Sequence, residues 1–166
     1  MVKITDIDQG LARISEEDFN AIRDFTKGVY VEVGTLHGAS AYAASENALV
    51  VYSIDIYDWQ PKVSDDPKIR YFKGTSEDFV KANPNLELDT IFIDGSHEND
   101  SVKRDCDALI PLVKRGGIIM FDDYNVNNPA SGVYPAVNEA IKTYNLTIIQ
   151  ETNYPTCSVL ICKNER

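Results

Sequence analysis

Short apolar runs alternate with stretches in which apolar residues recur every three or four positions, and this alternation continues through most of the chain. The spacing predicts a first helix from Ser15 to Thr26, with Ser15 as its cap and Asp18 as the acid at its third position. A β-rich run, Val29-Tyr30-Val31-Glu32-Val33, then stops at Gly34, and a small-residue helix follows from Ala39 to Ser45. The next run spans Leu49 to Ile54 and ends at Asp55; residues 56–68, with two prolines and a charge cluster, read as a loop. Ile69 to Phe72 is a third strand, Ser76 to Ala82 a short helix, and Thr90 to Ile93 a fourth strand entered through Leu88 and Asp89 and stopping at Asp94. In the helix expected over 100–110, Val102, Cys106, Leu109 and Ile110 share one face, and Pro111 ends or kinks it. Gly116-Gly117 releases a fifth strand, Ile118 to Phe121, into Asp122-Asp123. A loop over 124–132 precedes a helix that aligns Val133, Val137, Ala140, Ile141 and Tyr144; two strands, 146–150 and 157–162, joined by a turn at Asn153 to Pro155, close the chain.

Near-continuous apolar strands separated by helices belong to a parallel sheet covered on both faces. Only the last two strands lack a helix between them, so they form an antiparallel hairpin at one edge. The expected fold class is α/β: a doubly wound, Rossmann-like, seven-stranded, mostly parallel sheet with an antiparallel C-terminal hairpin strand. At 166 residues the chain fits one domain, 1–166. Four of the five parallel strands end in an acid or a glycine, Gly34, Asp55, Asp94 and Asp122. Such sheets bind ligands past the carboxyl ends of their strands, so this row marks the expected site edge.

Charge narrows the partners. Sixteen Lys and Arg against 26 Asp and Glu give a formal charge of -10, which repels phosphate backbones and argues against nucleic acid. A bound divalent cation reverses such a field locally. Without a basic start followed by an apolar run, or 18 consecutive apolar residues, neither a signal peptide nor a membrane span is expected. Cys106, Cys157 and Cys162 form no CxxC pair and read as buried thiols, consistent with an expected cytoplasmic location.

The first strand-to-helix turn, Glu32-Val33-Gly34-Thr35-Leu36-His37-Gly38, sits where a dinucleotide fingerprint would, but Leu36 stands in place of its middle glycine. That glycine lets backbone close on a pyrophosphate, so the turn suits a nucleoside ligand without one. Asp55 lies 23 residues after Glu32, near the spacing of about 20 for an acid that hydrogen-bonds ribose hydroxyls; a loop cap is the other reading. Glu32 lies inside an apolar strand, where an unpaired carboxylate costs several kcal/mol and a cationic ligand group would satisfy it. These residues resemble the class I S-adenosylmethionine-dependent methyltransferases over about residues 28–125. The resemblance implies Glu32 and the Gly34–Gly38 turn near the methionine moiety, Asp55 on the ribose, Asp94 on the cofactor side of its strand end, and Ser76 or Glu77 near adenine. A capping role explains Ser76 and Thr75 equally well.

If the fourth and fifth strands are neighbours, their ends lie about 5 Å apart, and Asp94, Asp122 and Asp123 crowd three negative charges that raise one another's pKa values. A hard divalent cation, Mg²⁺, Ca²⁺ or Mn²⁺, resolves that repulsion; solvated strand-end acids are the alternative. The pattern FIDGSH…GGIIMFDDY resembles the metal-dependent macrocin and sugar O-methyltransferase branch, more distantly catechol O-methyltransferase. That resemblance implies Mg²⁺ on the three aspartates, bound to hydroxyls of a small-molecule substrate. His97, three residues past Asp94, stands where the catechol-type enzymes carry a lysine base, so either Asp94 or His97 takes the proton; a loop-capping role is the rival for His97. His37 is a turn residue with no catalytic part. Trp59, Tyr124, Asn125 and Asn127 are candidates to wall an acceptor pocket. With about 28 residues before the glycine turn, the site is open or is covered by a second subunit in a homodimer. Two rival readings are a nicotinamide-dependent oxidoreductase and a non-catalytic nucleoside-binding domain.

Overall fold

The computed structural model describes residues 14–58, 66–125, 127–128, 131–152 and 158–166. Trp59, the turn at Asn153 to Pro155 and Cys157 lie outside them. Helix α1 (Glu16–Phe25) begins as its sequence dictates, with the Ser15 hydroxyl accepting the Asp18 N–H. Strands β1 (Gly28–Val33) and β2 (Ala48–Asp55) flank helix α2 (Ala39–Ser45), and β3 (Ile69–Lys73) leads into α3 (Ser76–Ala82). Then come β4 (Leu88–Ile93), α4 (Asn99–Leu109), a 3-10 turn (Ile110–Leu112), β5 (Val113–Phe121), α5 (Val133–Thr143), β6 (Leu146–Glu151) and β7 (Leu160–Asn164). Pro111 ends α4, as its missing N–H requires.

The strands form one seven-stranded sheet in the order β3-β2-β1-β4-β5-β7-β6. The first five are parallel, and β7 runs antiparallel between β5 and β6. Both faces are apolar because successive strand residues serve opposite layers. Val31, Ile91, Ile93, Ile119 and Phe121 pack under α3, α4 and α5. Tyr30, Phe92, Ile118 and Met120 pack with Phe19 and Ile22 of α1 and the alanines of α2, whose small side chains let that helix lie close to the sheet.

Two expectations change. The fifth strand begins at Val113, and Gly116-Gly117 lies inside it. Leu88 pairs with Val113 but Thr90 pairs with Ile118, so Lys114 to Gly117 form a bulge. A Cβ on Gly117 would come within 2.5 Å of Val113, so the bulge tolerates no larger residue there. The last strand begins at Leu160 rather than 157. Cys106 and Cys162 are buried free thiols, and no helix among the described residues is long and apolar enough to cross a membrane.

Candidate active site

The parallel strands end in register. Gly34 N–H donates to Ile54 O (2.8 Å), Asp94 N–H to Val33 O (2.9 Å) and Asp122 N–H to Ile93 O (3.0 Å). The ladder thus carries Gly34, Asp55, Asp94 and Asp122 to one edge, at the switch point where β1 is flanked by β2 and β4. Gly34 has φ +100, and a Cβ there would lie 2.0 Å from the Asp94 carbonyl oxygen, so the loops after β1 and β4 meet over a hydrogen atom. Two residues on, the turn still needs left-handed backbone: Leu36 has φ 43, a conformation disfavoured for a branched residue. Gly38, at φ 84, caps α2.

Glu32 is fully buried on the α2 face of the sheet. Its carboxylate accepts from Tyr30 Oη (3.0 Å) and Ser53 Oγ (2.6 Å), and also from Ser40. Because the Ser53 proton is committed to Glu32, the Thr35 hydroxyl donates to Ser53 (2.7 Å), linking the acid to the glycine turn. Hydroxyls therefore partner this carboxylate where the sequence pointed to a cation. Burial nevertheless outweighs them and raises its pKa to about 7. Tyr30, Ser40 and Ser53 were not anticipated; the signal available was polar residues inside otherwise apolar segments.

Asp55 Oδ2 accepts the Thr35 N–H and Oδ1 the Tyr57 N–H, both at 2.9 Å, which fixes the carboxylate at the rim beside the turn. The Gly74 N–H donates to Asp55 O (2.9 Å), placing the loop before α3 next to it. Within that loop Thr75 forms a capping box with Asp78. Ser76 is buried and donates to Asp105 Oδ1 (2.6 Å), whereas Glu77 is exposed. Asp105 of α4 was also not anticipated, although an acid three residues after Val102 sits beside an otherwise apolar stripe.

The strand-end acids meet as the neighbouring strands require. Burial first, then the Asp122 charge, pushes the Asp94 pKa well above the carboxylate range, and the two side chains are hydrogen-bonded to each other. Burial and the Asp123 charge raise Asp122 to about 7. Asp123 adopts φ 53 and turns its side chain to His97, whose Nε2 lies 2.9 Å from Oδ2. Ligand atoms from Asp94, His97 and Asp123 lie within 4.8 Å of one another. Asp122 stands beside this group through Asp94, and among the described residues no lysine or arginine ion-pairs with any of the three acids. The carboxylate oxygens of this group fit a hard divalent cation, and the imidazole beside them is held by Asp123. Tyr124, expected to face an acceptor, is buried against Tyr134 instead, with ring centroids 5.1 Å apart.

The 3-2-1-4-5-7-6 sheet and its acid-lined edge define a class I methyltransferase fold. A family model described as a methyltransferase domain matches residues 31–124. Among solved structures, the O-methyltransferase NovP superposes with a TM-score of 0.70 at 17% identity, covering 92% of this chain and 81% of NovP. MycE, a methyltransferase of the mycinamycin biosynthetic pathway solved with Mg, SAH (S-adenosylhomocysteine) and mycinamycin VI, gives 0.60 at 20% identity, covering 89% of this chain and 47% of MycE. A protein of Acanthamoeba polyphaga mimivirus is 39% identical over 54 residues, 32% of this chain and 24% of its own length. The chain thus spans about half of MycE and a quarter of the mimivirus relative. It belongs to the methyltransferase-domain family, the class I, S-adenosylmethionine-dependent kind that its motifs resemble.

Proposed function

We propose that this methyltransferase moves the methyl group of S-adenosylmethionine to a hydroxyl oxygen of a small acceptor, a sugar or similar polyol, with Mg²⁺ or another divalent cation at the aspartate rim. One observation carries the reading: Asp94 and Asp123 bring carboxylate oxygens within 4.8 Å of each other beside His97, with Asp122 adjoining Asp94 and, among the described residues, no lysine or arginine ion-paired with the acids. The cation supplies charge neutralisation and lowers the pKa of an alcohol it holds. The Mg and SAH of the MycE complex support the same assignment.

The chain's own residues supply the rest. Asp55, anchored by two backbone amides, keeps lone pairs for ribose hydroxyls. The Gly34–Gly38 turn, braced from below by Glu32, lies against the methionine portion. His97 is exposed, and the Asp123 carboxylate fixes its proton on Nε2, leaving the Nδ1 lone pair to take the acceptor's proton. His97 is therefore the base, while Asp94 helps hold the cation. In the transfer the acceptor oxygen forms a bond to the methyl carbon as the sulfur–methyl bond breaks, leaving S-adenosylhomocysteine. Orienting donor and acceptor at one strand edge lowers the entropic barrier.

The test is calorimetric titration of S-adenosylhomocysteine and then Mg²⁺ into the wild type, Asp94→Ala and Asp122→Ala. Loss of cation binding in the variants with nucleoside binding kept is the expected result; unchanged cation affinity in both removes the metal from the mechanism. Labelled methyl transfer to a panel of hydroxylated sugars and catechols identifies the acceptor class.

A further inference from the structure

Two consecutive residues of a regular strand point to opposite faces of the sheet. Asp122 and Asp123 do not. Asp122 is hydrogen-bonded to Asp94, and an oxygen of Asp123 lies within 4.8 Å of an oxygen of the same Asp94. The pairing of β5 with β7 gives the reason. Phe121 stands opposite Leu160, so an unbroken antiparallel ladder would set Asp123 opposite Ser158. Tyr124 takes that place instead, its N–H donating to Ser158 O at 3.1 Å. One extra residue is therefore held on the β5 side, and Asp123 absorbs it with left-handed backbone, φ 53. A bulge of this kind re-aims a side chain, and here it turns both aspartates to one rim.

Ser158 closes the bulge on both sides of the Tyr124 residue. Its carbonyl takes the Tyr124 N–H, and its hydroxyl donates to Tyr124 O while lying 3.0 Å from Glu151 Oε1. The segment behind it is tied down. Val159 donates its N–H to the Thr152 hydroxyl (2.8 Å) and accepts the Thr152 N–H (3.1 Å). That hydroxyl in turn donates to Asp18 Oδ1 at 2.7 Å. Ser158, Thr152 and Asp18 are all buried, where water does not contest such bonds. Any residue at position 158 would supply the carbonyl; the hydroxyl is what serine adds.

We propose that Ser158 is a positioning residue for the cation rim: its hydroxyl, by fixing the Tyr124 carbonyl, holds the Asp122–Asp123 bulge in the conformation that brings both carboxylates to Asp94. The inference rests on the cation reading above. Ser158 acts through the Tyr124 backbone and supplies no ligand atom.

Calorimetric titration of S-adenosylhomocysteine and then Mg²⁺ into the full chain tests it, with Ser158→Ala and Ser158→Thr beside the wild type. Ser158→Ala is expected to weaken Mg²⁺ binding by about tenfold, the scale of losing a group that orients a metal ligand, with S-adenosylhomocysteine affinity unchanged. Ser158→Thr keeps the hydroxyl and is expected to restore the Mg²⁺ affinity. A general loss of structure would lower both affinities together, so their ratio separates the two causes. If Ser158→Ala does not fold, Ser158→Cys, whose thiol is a weaker donor, is read in the same way. Unchanged Mg²⁺ affinity in the alanine variant, an equal loss for both ligands, or a folded Ser158→Thr as weak as Ser158→Ala overturns the role of Ser158. Absence of Mg²⁺ binding by the wild type overturns the cation reading and this inference with it, a result seen before any variant is made.

Discussion

Glu32 shows how one side chain is governed by opposing terms. Three hydroxyl donors favour its charged form, yet full burial, reinforced by the Asp55 charge, raises its pKa from 4.5 to about 7. A carboxyl that binds its proton more tightly when folded stabilises the fold below the unfolded pKa, and that contribution is lost as pH rises through the folded value. Between pH 4.5 and pH 8 the wild type should therefore lose roughly 3 kcal/mol relative to Glu32→Gln, measured by urea denaturation of both proteins across that range. An equal pH slope in the two would show that Glu32 does not hold its proton near neutrality. Gly34 makes a steric prediction. Alanine there would press a methyl group to 2.0 Å from a backbone carbonyl at φ +100, so Gly34→Ala should cost more than about 4 kcal/mol, read from the denaturation midpoint. The motif exposed the need for glycine at this position; the carbonyl that enforces it belongs to a loop 60 residues away.

At the scale of elements, capping and periodicity made the helices legible. Ser15 and Asp18 begin α1, and Thr75 with Asp78 begins α3; Thr75→Ala should cost about 1 kcal/mol, seen as a lower thermal midpoint with the fold intact. What the caps did not reveal is how elements are tied together. Asp18 is buried and also accepts from Thr152 Oγ1 (2.7 Å), which itself receives the Val159 N–H (2.8 Å). Asp18 thus fastens α1 to the segments after β6 and before β7. Asp18→Ala leaves that hydroxyl without its acceptor in the interior and should cost about 1–3 kcal/mol, whereas a solvated first-turn acid would cost a few tenths. Gly116-Gly117 was misplaced for a related reason: two glycines mark an interruption, but whether it precedes a strand or bulges within one depends on the neighbouring strand's register.

Across the whole molecule, a formal charge of -10 makes self-repulsion a general cost and added salt a general stabiliser. A cation site at the rim adds a specific term. At equal ionic strength, Mg²⁺ should raise the melting temperature more than Na⁺ does, with the excess following ligand linkage, about 2.7 kcal/mol at a hundred times the dissociation constant. Asp122→Ala should abolish only that excess. A rise shared equally by both salts would leave screening as the whole effect.

The alternation of apolar runs and helical periods was sufficient to specify a parallel doubly wound sheet with an antiparallel C-terminal pair, because both the two-residue and the 3.6-residue periods are local consequences of backbone geometry. The strand-end acids were equally visible, since chain order alone puts them where strands stop. That Asp94 meets Asp122, that Ser53 sits beneath Glu32, and that Ser76 hands its hydrogen bond to Asp105 were decided only by strand order and helix packing. Ser53 lies 21 positions from Glu32 and Asp105 lies 29 from Ser76, and no period along the chain encodes a partner at that range.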